Sequence, residues 1–126
     1  SVGFHIGDGS IIFLTKENNS LAYISKPENG EYITETFFIT DKNWKEKLRF
    51  FKVDFQFEVL LAMTDGVTGM ALKDNQPFHG FINPIVKFLA SNPDDKCKKA
   101  ITNILSSSKS LQISNDDKTI AWYLKC

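Results

Sequence analysis

Four aspartates stand out for the company they keep. Asp8 lies between Gly7 and Gly9, Asp65 precedes Gly66, and Asp116 and Asp117 precede Lys118 and Thr119. Asp8 and Asp65 each follow a stretch patterned as a strand, and the Asp116-Asp117 pair leads into one. If those strands are neighbours, the carboxylates gather at one end of a sheet. Oxygen donors in such a place suit hard divalent cations, Mg²⁺ or Mn²⁺, which keep several waters when bound. A pair of such ions activates a bound water and screens a phosphoryl group. Each pair also has a plainer reading. Asp8-Gly9 between two apolar runs is a hairpin signal, Asp65-Gly66 has the composition of a turn, and Asp116-Asp117 suits a solvated loop. Taken singly, none of these signals is strong.

Other reactive residue types offer less. His5 alternates within a strand pattern and reads as a packed or edge histidine. His79 lies near Pro77 without a partner at metal-ligand spacing. Neither Cys97 nor Cys126 has a neighbour that suggests nucleophilic chemistry, and two cysteines make no disulfide framework, which points to a reducing cytoplasm. Arg49 is the single arginine beside fourteen lysines, few for a chain that grips phosphate through bidentate forks. The phenylalanines sit at alternating or helical spacings, so they read as core rather than as a base-stacking platform. No glycine-rich phosphate loop occurs.

The elements that must position the aspartates follow from the apolar pattern. The run VLLAM at 59–63 has no polar interruption and is bounded by turn residues, as in a strand covered on both faces. It delivers Asp65 to its end. Before it, 2–6 reads as a strand, joined to 11–14 by a hairpin at Asp8-Gly9. A second hairpin joins 11–15 to 21–25. Pro27 to Gly30 is a turn, 32–34 and 37–39 are short strands, and 41–47 is a polar loop around Trp44. Phe51, Val53, Phe55 and Phe57 alternate with polar residues, so 51–57 is a half-buried strand with a turn or bulge near Glu58. Beyond Gly69 the period changes. Phe81, Ile82, Ile85, Val86, Phe88 and Leu89 share a helical face, with Pro84 in the first turn or at the helix start. Asn92 caps a second helix, Pro93 opens it, and Asp94 and Asp95 favour its positive end. Ser106 to Ser108 ends it, a polar loop follows, and 119–124 closes the chain as a strand. Many strands, two helices and a last strand make an α+β fold with a largely antiparallel sheet.

At 126 residues the chain is one domain at most, and 42% hydrophobic residues suffice for a core. Its 15 basic and 15 acidic residues cancel, which argues against a general nucleic-acid or membrane-surface binder. No apolar run is long enough to span a bilayer, and no signal peptide opens the sequence. The start at Ser1-Val2-Gly3-Phe4 reads like the middle of a strand, as in a fragment or processed product.

The order of motifs is more specific than any one of them. A Gly-Asp pair after the first strand, an apolar strand ending Thr64-Asp65-Gly66, two helices, then Asp116-Asp117-Lys118-Thr119 opening a last strand resemble the C-terminal half of a type 2C metal-dependent serine/threonine protein phosphatase, closest to its bacterial branch. The resemblance covers nearly all of residues 1–126. It implies part of an α-β-β-α sandwich, with antiparallel sheets, two C-terminal helices and a metal site at one end of the sheets. It implies hydrolysis of phosphoserine and phosphothreonine in phosphoprotein substrates by a water held between two Mn²⁺ or Mg²⁺ ions, with a third, weaker ion in several members. On that basis Asp65 and Asp116 are direct metal ligands and Asp8 helps to bind the third ion. Asp117 and Gly66 support them from behind.

Two departures qualify the likeness. Gly9-Ser10 stands where the family often has Ser-Arg, and the N-terminal half, which supplies the phosphate-binding arginine and the remaining metal ligands, has no counterpart here. The expectation is a half-site with little phosphatase activity alone. Strand edges and apolar faces left open would favour pairing with the missing half, or a dimer. A degenerate, non-catalytic phosphatase-like interaction module is the alternative. An unrelated β-rich interaction domain, with the Asp-Gly pairs as mere turns, is a poorer third.

Overall fold

The computed structural model describes residues 1–15, 20–26, 36–54 and 56–125. The apolar run forms strand β5 (Val59–Met63), and the strands around it explain its composition. It lies inside a four-stranded antiparallel sheet, between β2 (Ser10–Leu14) and β8 (Ile120–Leu124), with β3 (Leu21–Ser25) beyond β2. Val59, Leu61 and Met63 point to the helical side and are buried, while Leu60 and Ala62 on the other face are half-buried. Cover on the two faces is therefore unequal. Full burial of a side chain such as Leu61 stabilises the fold by about 1.5–3 kcal/mol, so the helical side dominates the energetics.

That side is built by α2 (Asp65–Ala71), α3 (His79–Ser91) and α4 (Asp94–Leu105), with α5 (Ser108–Ile113) packed against α2 and α4. The periodic residues Ile82, Ile85, Val86 and Leu89 of α3 meet Val67, Met70 and Ala71 of α2 and Cys97 and Ile101 of α4 in one cluster with the sheet. On the opposite face a two-stranded antiparallel sheet pairs β1 (Val2–His5) with β4 (Arg49–Lys52). Phe13 of β2 joins the two sheets, with its ring 5.8 Å from that of Phe51 and 4.8 Å from that of Phe57, both edge-on. Such pairs add to what area burial alone provides.

Several expectations are overturned. β1 and β2 do not form a hairpin, because β1 pairs with β4 and β2 pairs with β3 and β5. The Gly7-Asp8-Gly9 segment instead carries the chain from one sheet to the other. Its left-handed residue is Gly7, at φ +96°, rather than the Asp-Gly pair. Strand β4 stops at Lys52 instead of running to residue 57. Its pairing continues one step, from the Val53 amide to the Ser1 carbonyl at 2.7 Å, and beyond that no described strand accompanies it. Residues 37–40 are loop and turn, not strand. Asp41 draws the Phe38 amide to its carboxylate at 2.8 Å, a local bond that competes with strand pairing. The loop at 41–47 contains one helical turn, α1 (Trp44–Lys47). The turn expected at 27–30 and the strand at 32–34 lie outside the described residues.

The helical part is richer than the two helices expected, with five among the described residues. Pro84 lies inside α3, in the second turn rather than the first. Asn92 does not cap α4. Its side-chain Nδ2 donates to the Phe88 carbonyl at 2.9 Å and closes α3 instead. After Ser106 the chain turns helical again, since Ser107 accepts the Ser110 amide and caps α5. Between α2 and α3, β6 (Leu72–Lys73) and β7 (Gln76–Pro77) form a minimal hairpin. Its two turn residues, Asp74 and Asn75, both have positive φ, as a two-residue primed turn requires.

Candidate functional site

Strand register brings the aspartate-bearing loops to one end of the larger sheet. Ser10 pairs with Met63, and Met63 pairs with Ile120. The segment after Asp8, the residues after β5 and the residues before β8 therefore share one edge. Two glycines record how closely they approach. A Cβ on Gly9 would lie 2.7 Å from the Met63 carbonyl oxygen, and one on Gly66 would lie 2.5 Å from the Asp117 carbonyl oxygen and 3.0 Å from that of Asp116. Real Cβ atoms essentially never come so near, so both positions require glycine for closeness to a backbone rather than for a turn. Asp65-Gly66 is not a turn at all. It opens helix α2, and the Asp65 carboxylate lies in the first turn, where the dipole favours negative charge.

Thr64 ties the two loops together. Its amide donates to the Thr119 carbonyl at 3.1 Å, its hydroxyl accepts the Thr119 amide at 3.0 Å, and the same hydroxyl donates to the Asp117 carbonyl at 3.1 Å. Lys118 braces the loop from the other side. Its ammonium donates to the carbonyls of Ser114 at 2.7 Å and Asp116 at 3.0 Å. The motifs were read for their acids, and these two residues were missed. The only sequence signal was their adjacency to the acids, Thr64 before Asp65 and Lys118 after Asp117.

The carboxylates themselves are less convergent than the loops that carry them. Asp65 and Asp116 are exposed, and each has one oxygen engaged locally. The Gly66 amide donates to Asp65 Oδ1 at 2.8 Å, and the Ser114 hydroxyl donates to Asp116 Oδ2 at 2.8 Å. Asp117 is exposed and contributes its carbonyl to the clamp. Asp8 is half-buried and accepts from the Thr36 hydroxyl. Among the described residues, no three His, Cys, Asp or Glu side chains lie close enough together to hold a metal ion. The donors are all oxygens and the acids face solvent, so their chemistry fits a hard, partly hydrated divalent cation and not a soft one.

His79 lies apart from this chemistry, whereas His5 stands beside the Asp8 loop, its Nε2 3.8 Å from where a Cβ on Gly9 would be. Nδ1 of His5 is 2.7 Å from the Ser25 hydroxyl and 3.2 Å from Nη2 of Arg49, whose Nη2 also donates to the Gly7 carbonyl at 3.1 Å. A guanidinium can only donate, so Nδ1 must accept from it. The single arginine thus fastens the smaller sheet to the start of the Asp8 loop. His79 pairs with Asn83 at 3.3 Å on the exposed start of α3.

Among the described residues, an α+β fold with α2 to α5 packed on one face of a four-stranded antiparallel sheet, and acidic loops at one end of that sheet, defines the class. The sequence matches the family described as Protein phosphatase 2C over residues 1–106, and the chain belongs to that family. Serine/threonine-protein phosphatase 3 of Escherichia coli (strain K12) is 31% identical to it over 121 residues, covering 92% of this chain and 47% of that protein. The chain spans about half the length of the curated relative it matches. No solved structure matches. The family match ends before Asp116 and Asp117. No helix among the described residues is long and apolar enough to cross a membrane.

Proposed function

We propose that residues 1–126 form the C-terminal half of a metal-dependent phosphatase domain that hydrolyses phosphoserine and phosphothreonine in proteins. One observation carries the reading. The register Ser10–Met63–Ile120, sealed by Gly66 against the Asp117 carbonyl, sets all three acidic loops at one sheet end in a chain of this family. Asp65 and Asp116 would hold Mn²⁺ or Mg²⁺, with Asp8 at a further ion and Asp117 and Gly66 supporting them. When bound, such ions lower the pKa of a coordinated water and neutralise phosphoryl charge. The chain's own contribution is to fix the carboxylates. Thr64 locks the loop before Asp65 to the loop after Asp116. The remaining ligands and the phosphate-binding group would come from the other half, so the chain alone turns over little phosphoprotein. The buried free thiol of Cys97 supports a reducing, cytoplasmic setting.

Calorimetric titration with Mn²⁺ tests this. The expected outcome is weak binding by the chain that is lost in Asp65→Asn, and much tighter binding when the preceding half of the domain is present. Unchanged affinity in Asp65→Asn would sink the assignment of Asp65. Phosphopeptide turnover by the chain alone at the rate of an intact relative would sink the half-site account. A non-catalytic interaction module is the second reading, and Gly9-Ser10 in place of the pair usual in the family favours it. Inactivity of the longer chain, with the preceding half restored, would decide for it.

A further inference from the structure

The loop at 114–119 exposes Asn115, Asp116, Asp117 and Thr119, and exposed loops ordinarily leave their carbonyls to water. Here the carbonyls of Ser114 and Asp116 accept from the Lys118 ammonium, and those of Asp117 and Thr119 accept from Thr64. Ser114 is the C-cap of α5, where a cation on a free carbonyl is favoured by the helix dipole. The Lys118 stem is held as well. Its Cγ lies 3.1 Å from where a Cβ on Gly66 would be, against the first turn of α2.

The partners that this lysine takes are as telling as its position. Asp116 and Asp117 are its close neighbours in sequence, but among the described residues Lys118 forms an ion pair with neither. A salt bridge there would compete with any metal ion for the carboxylates. Directed at the backbone, the ammonium instead fixes the turn that contains Asp116. Within that turn the Ser114 hydroxyl accepts the Asp116 amide at 3.1 Å and donates to Asp116 Oδ2 at 2.8 Å. The ammonium holds the two carbonyls on either side of this exchange, at 2.7 and 3.0 Å, so the turn keeps the shape in which one hydroxyl can orient the carboxylate.

We infer that Lys118 is a positioning residue for the metal site: it strengthens the hold of Asp116 on a divalent cation although its own charge repels one. It acts through the carbonyls of Ser114 and Asp116 and touches neither metal nor substrate. The role rests on the divalent-cation reading of Asp65 and Asp116, whereas the orientation of Asp116 does not. Two opposed effects meet in this side chain, and they differ in sign. Removing the cation alone would tighten Mn²⁺ nearby, because like charges repel. Releasing the turn would weaken it, as the loss of groups that orient metal ligands does.

The sign is read by calorimetric titration of the chain with Mn²⁺, beside the Hα–Hβ couplings of Asp116 in the metal-free protein. Lys118→Met keeps the stem against α2 and removes the donors. It is expected to weaken Mn²⁺ about tenfold and to average couplings that in the wild type report one rotamer. Lys118→Arg keeps a cation and several N–H donors and should recover most of the loss. Val86→Ala, which loosens the helical core far from the loop, should lower the melting temperature and leave Mn²⁺ affinity unchanged, so lost stability alone does not imitate the effect. Ser114→Ala releases the carboxylate from the other end of the same exchange, should average the couplings too, and keeps the test open should Lys118→Met not fold. Equal or tighter Mn²⁺ binding by Lys118→Met, with binding lost in Asp65→Asn, would overturn the role of Lys118 and leave the metal site standing. No binding by the wild type would overturn both. Couplings already averaged in the wild type would overturn the orientation of Asp116, and the role with it.

Discussion

The four-stranded sheet and the β1–β4 sheet both carry large apolar side chains, and these meet opposite fates. In the larger one, Ile12, Leu14 and Leu61 are at most 1% exposed, because three helices lie across that face. In the smaller one, Val2, Phe4 and Phe50 share the outward face of β1–β4 and are 75%, 62% and 74% exposed. The difference teaches that alternation and hydrophobicity make a strand, but cover makes a core. A contiguous apolar face of this kind marks a surface that meets something else. On the half-domain reading proposed above, the rest of the domain would cover this face, and self-association is what the chain by itself would show instead.

Three substitutions would break or sharpen the contrast, in order of expected effect. Leu61→Ala leaves a cavity beneath three helices and should lower stability by about 2–5 kcal/mol, read from the urea midpoint. A loss under about 1 kcal/mol would mean that the helical face is loosely packed and the contrast overstated. Gly66→Ala drives a methyl group into the Asp117 carbonyl, which no rotamer change can relieve, and should cost about 1–3 kcal/mol by overpacking. It should also displace the amide resonances of residues 116–119, and unchanged resonances there would separate the two acidic loops. Phe50→Ser removes a large apolar side chain from the exposed sheet and should change stability by no more than about 0.5 kcal/mol. Its effect should appear in light scattering as reduced self-association. A large stability loss there would show that the outward face is packed in solution.

The candidate site was legible in outline, since Asp65, Asp116 and Asp8 were singled out by type and neighbours and their loops do meet. Its mechanics were not. Thr64 and Lys118 act through bonds to the carbonyls of residues 114–119, and nothing in a threonine or lysine says which carbonyl it will find. The glycines were misread for the same reason. Gly9 and Gly66 look like turn residues locally, yet each is required by a carbonyl brought in from a distant part of the chain.

The sequence by itself determined β5, α3, α4 and the closing strand, because an uninterrupted apolar run or a period of three and four is a property of one element and survives any context. It also determined the order of the acidic motifs. Only the tertiary structure decided that β1 leaves β2 for β4, that Asp65 starts a helix, that Ser107 caps a further one, and that the smaller sheet keeps an open face. Strand pairing and cover depend on partners about 40 to 60 residues away, and short-range propensity carries no record of them.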